Sequence, residues 1–263
     1  MKILVSSILI LLLSQYASAQ QFSLYNTRTL FDSFENPSQK AFHADSSRKF
    51  AFNFFIPTVT FNSGFRGPSE ASFKDFIFTD DTNTFPGIDE QGTNTVFANS
   101  NTYLLMFKLF KNLRHNVELG FSWQVREDAS ATATYEGLLL FRSSDRFKDN
   151  ISGSLNGNDA FSQAYHQFSV SYREDLSRKL GVGAKLSALS GIAYSKFEIN
   201  DSQITTIDGT ANQLLLDGRY RSSFGLGQFE GRSAIPQFEN PGVSITGSVN
   251  YRAPGGWFVL GTL

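Results

Sequence analysis

Residues 117–126, VELGFSWQVR, alternate apolar and polar side chains without interruption. A period of two residues places the apolar side chains on one face of a β-strand and the polar ones on the other. Phe121 and Trp123 lie on the first face, whereas Glu118 and Arg126 lie on the second. Large apolar groups opposite charged ones are typical of a strand with lipid on one side and water on the other. The stretch therefore predicts one wall strand of a transmembrane β-barrel.

The first nineteen residues have the features of an export signal. Lys2 precedes an apolar run over residues 3–13, and Ala17-Ser18-Ala19 supplies a small-residue cleavage site. The apolar run is about half of the ~20 residues that a transmembrane helix requires. We therefore expect residues 1–19 to be a cleaved signal peptide and the protein to reach the outer membrane.

Composition excludes several classes of protein. The chain has no cysteine, so it is neither a disulfide-stapled secreted module nor a lipoprotein. Lys and Arg number 23 against 24 Asp and Glu, a net charge of -1, which argues against a nucleic-acid partner. The 27 Phe among 263 residues exceed the need of a soluble core and favour a lipid-facing surface.

Alternation recurs along the mature chain and predicts about seven antiparallel wall strands. In residues 101–109, Tyr103 shares a phase with Leu105 and Phe107, and in residues 49–61 the phase changes near Pro57, which predicts a bulge or a strand end. The predicted strands are residues 49–61, 101–109, 117–126, 165–173, 180–194, 243–251 and 257–263.

The connections between these strands fall into two classes. Short turns follow Phe110, Arg173 and Arg252, whereas long segments follow Phe61, Val125 and Ile199. Long extracellular loops and short periplasmic turns are typical of outer-membrane barrels. Within the long segments, the sequence indicates a loop over 62–95, a short helix in 134–141 and a small hairpin over 214–220.

Residues 20–48 lack strand periodicity, and Asn36-Pro37 interrupts them. We interpret them as an N-terminal plug or periplasmic segment, and residues 49–263 as the β-barrel domain.

Three features of the sequence together resemble an uncharacterised Bacteroidota family of outer-membrane barrels. They are the Asn36-Pro37 segment before a Phe-rich strand, the long alternating hairpins, and the stretch Asn240-Pro241-Gly242-Val243 before a strand that ends in Tyr251-Arg252. That family is related in architecture to FadL-type transporters of hydrophobic compounds. The resemblance implies about fourteen strands around an N-terminal segment. Since about seven are predicted, and Leu263 lies within a strand without a terminal aromatic residue, we expect the barrel to be truncated at its C-terminus, because open edges are not viable in lipid.

Five polar residues have the phase of the barrel interior. They are Glu118, Gln124, Arg126, Arg173 and Lys185. Charges of both signs inside a barrel must pair or meet water. These lumen-facing candidates therefore either form an electrostatic network that joins wall and plug, or line a path for cargo.

The sequence offers little for catalysis or cofactor binding. His43, His115 and His166 lie far apart, without carboxylates at metal-ligand spacing, and Asp80-Asp81 and Asp159 in predicted loops lack the spacing of a calcium site. On a strand, His166 points away from both Ser169 and Ser171. We expect no catalytic residues, no metal, no cofactor and no enzyme activity.

Together these features predict an outer-membrane β-barrel protein that is surrounded by lipid and moves or binds a hydrophobic small molecule. Two alternatives remain at this point. One is a structural or secretion-associated barrel that docks a partner protein. The other is a soluble exported β-sandwich, which the phenylalanine content disfavours.

Overall fold

The computed structural model describes residues 29–41, 49–68, 92–111, 116–134, 137, 150–153, 155–207, 210–223, 238, 240–253 and 256–260. These residues form a short helix and antiparallel strands, so the predicted all-β antiparallel class is confirmed. The elements are α1 (Leu30–Glu35), β1 (Phe50–Arg66), β2 (Thr93–Lys111), β3 (Val117–Thr134), β4 (Ile151–Ser152), β5 (Asp159–Asp175), β6 (Leu180–Ile207), β7 (Thr210–Ser222), β8 (Pro241–Ala253) and β9 (Gly256–Leu260).

All nine strands belong to one sheet. Its main path runs β1-β2-β3-β5-β6-β8-β9, with every neighbouring pair antiparallel, and β4 and β7 pair with β6 beside this path. The path has as many strands as the alternation predicted. Among the described residues, β1 and β9 are its two edges.

Several strands are longer than predicted, because their ends are polar and resemble loops in sequence. β1 continues to Arg66, which pairs with Thr95 of β2, so the predicted loop over 62–95 was wrong at both ends. Asp159, predicted in a loop, is the first residue of β5. The register shift between Phe54 and Thr58 confirms the irregularity predicted at Pro57. The short helix predicted in 134–141 was wrong at Thr134, which ends β3, and apart from Gly137, which is helical, the rest of that stretch lies outside the described residues.

The longest strand, β6, has 28 residues and is shared between two neighbours on one side. Its first part, from Leu180 to Ser190, pairs with β8, and its second part, from Ser195 to Ile207, pairs with β7. The small hairpin predicted over 214–220 was wrong, because those residues all belong to β7, which forms one arm of a larger hairpin with the second half of β6.

The sheet has an apolar outer face. One row of directly paired residues crosses six strands and contains only apolar side chains, among them Phe52 and Ile245, which are 66% and 77% exposed. A soluble protein rarely exposes so large an apolar surface. The row is Phe52, Phe107, Phe121, Val170, Leu186 and Ile245.

The opposite, inner face is polar and packs against residues 29–41, here called the N-terminal segment. A small apolar cluster lies between them, in which Leu30 and Phe34 of the segment pack with Tyr103 and Met106 of β2. The buried polar side chains of this face include Lys108, Glu118, Gln124, Arg173 and Lys185. In the part of the chain that the structure describes, no helix is long and apolar enough to cross a membrane.

Candidate functional site

The N-terminal segment begins with a capped helix. Thr29 Oγ1 accepts a hydrogen bond from the Asp32 amide at 3.1 Å, and the Asp32 carboxylate accepts one from the Thr29 amide at 3.3 Å. This capping box fixes the first turn of α1. At the other end Pro37 disfavours a helical Asn36, which adopts an extended conformation. The helix is thus limited to six residues.

Two lysines of the sheet bind the free carbonyls at the end of α1. Lys108 Nζ donates to the Ser33 carbonyl at 3.3 Å, and Lys185 Nζ donates to the Phe34 carbonyl at 2.8 Å. The helix has no basic residue in its own last turn. Because the last carbonyls of a helix lack intrahelical partners and carry partial negative charge, these cations satisfy and stabilise them.

A buried ion network lies beside this contact. Glu118 pairs with Lys108 at 3.2 Å and with Arg173 at 3.4 Å. Arg173 also pairs with Asp175, which in turn pairs with Lys40 of the N-terminal segment at 2.8 Å. We call these five residues the Glu118 network. It joins three strands to the segment, and each buried charge has a partner of opposite sign.

A second contact is centred on Glu35, the last residue of α1. Its carboxylate pairs with Arg126 at 2.9 Å and accepts hydrogen bonds from Asn101 at 2.6 Å and from the Tyr103 hydroxyl at 2.7 Å. Burial alone would raise the pKa of the Glu35 carboxyl. The charges of Arg126 and Lys185, with the two hydrogen bonds, outweigh burial and hold that pKa below its usual value.

Backbone contact also holds the N-terminal segment. A Cβ atom on Gly183 would lie 2.2 Å from the Pro37 carbonyl carbon, so only glycine allows this approach. Next to it, the Ser38 amide donates to Ser248 Oγ of β8 at 2.8 Å, and Arg173 Nε donates to the Ser38 carbonyl at 2.9 Å. The turn after α1 is therefore fixed to β5, β6 and β8.

Uncharged side chains form a third cluster on the inner face. Gln124 donates to Gln167 at 2.7 Å, Gln167 donates to Ser187 at 2.9 Å, and Ser187 and Ser169 share a hydrogen bond of 2.9 Å. This cluster is buried without a net charge.

Beside the Glu35 contact lies an open polar recess of about 80 Å³. We call it the Arg126 recess. Its lining residues come from α1, β3, β5, β6 and β8, and only one of them is aliphatic. They are Glu35, Arg126, Tyr165, Gln167, Lys185, Leu189, Ser244 and Thr246.

Comparison with known proteins identifies the family. Residues 41–251 match a family of unknown function, DUF5723. The chain belongs to this family. No curated protein and no solved structure matches it at a significant level. The DUF5723 match extends from the end of the N-terminal segment to β8, so it contains the whole sheet except its last edge, whereas α1 lies outside it.

In this DUF5723 chain, the five lumen-facing candidates all lie on the face that packs against the N-terminal segment. Glu118 and Arg173 contact each other directly, whereas Arg126 and Lys185 bind α1. Gln124 lies apart from these four and contacts Gln167.

Several further residues of the site were not predicted, and four of them show why. Lys108 has the polar phase of its strand, and that signal could have found it. Tyr103 was placed with Leu105, but a register shift between them turns Tyr103 inward. Glu35 and Asp175 lie outside clear alternation, and their roles depend on contacts distant in sequence.

His166 lies on the outer face, across the sheet from Ser169 and Ser171. Trp123 Nε1 donates to His166 Nδ1 at 3.3 Å, and Trp123 stacks on Phe168 with ring centroids 5.7 Å apart. The described residues contain no group of three or more histidines or carboxylates placed to hold a metal ion. His43, His115, Asp80 and Asp81 lie outside the described residues.

Proposed function

We propose that this DUF5723 protein is a non-enzymatic outer-membrane β-barrel protein with its N-terminal segment held as a plug inside the wall. The observation that carries the proposal is the reversed polarity of the sheet. Apolar residues form the exposed row from Phe52 to Ile245, whereas Lys108, Glu118 and Arg173 are buried on the other face. Lipid outside and a polar interior account for both faces.

Strand length supports the same proposal. The strands β1, β2, β3 and β5 have 17, 19, 18 and 17 residues. A transmembrane strand needs about 9–11 residues, so each of these can cross a bilayer and extend beyond it. Strands of soluble proteins are usually about 5–6 residues long.

The alternative of a soluble β-sandwich requires a second sheet on the apolar face. All the described strands belong to one sheet, and no described strand covers the row from Phe52 to Ile245. The sheet therefore supports a lipid-facing wall in preference to a sandwich.

The proposed role of the barrel is to bind or pass a small molecule between plug and wall. The architectural resemblance to FadL-type proteins supports a hydrophobic cargo. A plug held largely by ion pairs and single hydrogen bonds, as Glu35 is by Arg126 and Asn101, and by one small apolar cluster, can limit passage without sealing the whole barrel by apolar packing.

Fractionation of cells expressing the full-length protein tests the location. We expect recovery in the outer membrane and faster gel migration of the unheated protein. A soluble periplasmic pool would contradict the proposal. To test transport, we expect vesicles that contain the purified protein to admit a hydrophobic dye faster than vesicles without it. Equal rates of dye entry would exclude a hydrophobic cargo.

A second candidate function is docking of a partner protein by the β6–β7 hairpin. Residues 213–220 of β7 are all exposed, and they include the consecutive apolar residues Leu214, Leu215 and Leu216. We propose that deletion of β7 would leave the barrel assembled but abolish co-purification of such a partner. If the purified proteins with and without β7 retain the same co-purifying proteins, docking at this hairpin is excluded.

A further inference from the structure

We propose that the Arg126 recess is a binding site for a small oxyanion: inorganic phosphate, sulfate or the equivalent group of a larger molecule. The site is defined by chemistry on the inner face and does not depend on which cargo the barrel passes.

The first argument is charge. Arg126 and Lys185 place two positive charges at the recess against one negative charge from Glu35. The Glu35 carboxylate already accepts from Arg126, Asn101 and Tyr103. Asp128, one inner position further along β3, also acts on Arg126 through its charge, but it accepts from Gln163 at 3.2 Å and is not a lining residue. The side chains that line the recess therefore carry one more positive charge than negative.

The second argument is the incomplete coordination of Lys185. Its side chain is buried, with 5% of the residue exposed, and its ammonium carries three N–H donors. Among the described residues it has one acceptor, the Phe34 carbonyl, and no carboxylate lies within ion-pair distance. Lys185 shares the nearby Glu35 charge with Arg126, which pairs with that carboxylate directly, so an anion in the recess would give the Lys185 ammonium a direct partner of opposite sign.

The third argument is the arrangement of neutral donors. In the strand register, Arg126 of β3 lies directly opposite Tyr165 of β5, and Lys185 of β6 lies directly opposite Thr246 of β8. The hydroxyls of Ser244 and Thr246 make no side-chain hydrogen bond within the described part of the chain. Hydroxyl donors between two cations are suited to the several oxygens of an oxyanion.

The size and lining of the recess define the ligand class. A volume of about 80 Å³ holds a group of several heavy atoms. Leu189 is its only aliphatic lining residue, so an acyl chain finds no apolar surface there. A phosphate-sized anion fits both constraints.

Equilibrium dialysis of radiolabelled inorganic phosphate against the full-length protein in neutral detergent tests the proposal. The variants are Lys185→Gln and Thr246→Val. The matched control is Lys196→Gln, which removes the same charge from the same strand at an ion pair with Glu198 outside the recess. Heat-modifiable migration of each variant shows that it is folded.

We expect saturable binding to the wild type, at least about tenfold weaker binding to Lys185→Gln, several-fold weaker binding to Thr246→Val and unchanged binding to Lys196→Gln. Absence of saturable binding to the folded wild type up to about 10 mM phosphate would overturn the proposal. So would equal losses in Lys185→Gln and Lys196→Gln. Because dialysis measures neither location nor transport, either result leaves the proposed barrel function to its own tests.

Discussion

Lys185 of β6 and Phe34 of α1 lie 151 residues apart in sequence, yet the lysine ammonium donates to the Phe34 carbonyl at 2.8 Å. This hydrogen bond joins β6 of the sheet to the end of α1, the only multi-residue helix among the described residues. It shows that the polar face is organised around the N-terminal segment. Disturbing either partner should therefore be detectable at the other.

Replacement of Gly183 by alanine should displace the N-terminal segment. The new Cβ would lie 2.2 Å from the Pro37 carbonyl carbon, and the backbone must move to relieve that overlap. We expect a loss of about 1–3 kcal/mol in the free energy of unfolding and faster proteolysis of residues 29–41. The matched control is Gly247→Ala, where no atom lies within 4 Å of the new Cβ and stability should be unchanged. Equal effects of the two substitutions would contradict the contact.

Glu118→Gln should be strongly destabilising. The substitution leaves Lys108 and Arg173, both nearly fully buried, without their shared carboxylate. Breaking a buried ion pair from one side costs about 3–5 kcal/mol. Denaturant unfolding followed by tryptophan fluorescence measures the loss. The half-buried pair of Lys196 and Glu198 supplies the control, since Glu198→Gln should leave the transition midpoint nearly in place.

The contribution of Glu35 to stability should depend on pH. Because its pKa in the folded protein lies below the ordinary value of 4.5, the folded state favours the ionised carboxylate. The stabilisation is complete above the unfolded-state pKa and is lost as the pH falls through the lower, folded-state pKa. We expect the difference in stability between wild type and Glu35→Gln to be constant near neutral pH and to shrink below about pH 4.5. A difference that stays constant down to strongly acidic pH would show that the carboxylate charge contributes nothing.

The substitution Ile245→Arg tests whether the surface around Ile245 faces lipid or water. Ile245 is 77% exposed, so arginine there would be nearly neutral in water. In a bilayer, a lipid-facing arginine costs up to about 2–4 kcal/mol, greatest at the midplane. We expect reduced assembly in the outer membrane and a lower unfolding midpoint in lipid vesicles. Leu215→Arg, on the exposed β7, should assemble normally, and identical behaviour of the two variants would argue against the proposed wall.

Strand pairing was largely predictable because alternation is local. Phe121 and Ser122 show in sequence which face each occupies, and the same holds along β5 and β8. The bulge that turns Tyr103 inward was not predictable, since one extra residue changes the phase without altering composition. The continuation of β1 through Ser63 and Gly64 was missed for a related reason: small polar residues pair as strands when a partner is present.

The candidate site was predictable only in part. Periodicity placed Arg126 and Arg173 on the polar face, but it carries no information about which carboxylate each one meets. Glu35 and Asp175 are partners brought together by the tertiary fold, and neither belongs to an alternating stretch. Polarity patterns predict which face of a strand each residue occupies, but they carry no information about the chemistry of a cargo.

The hydrogen bond from the Ser38 amide to Ser248 Oγ spans 210 residues and sets an order of events during folding. Ser38 is synthesised before any of the described strands, whereas its acceptor on β8 is made after six of the seven strands on the path have begun. Contacts of such high sequence separation form late, since the intervening chain must lose its freedom first. We therefore expect residues 29–41, the earliest described part of the chain, to be among the last to reach their final position, and until then the cations of β2, β5 and β6 that bind them remain without those partners.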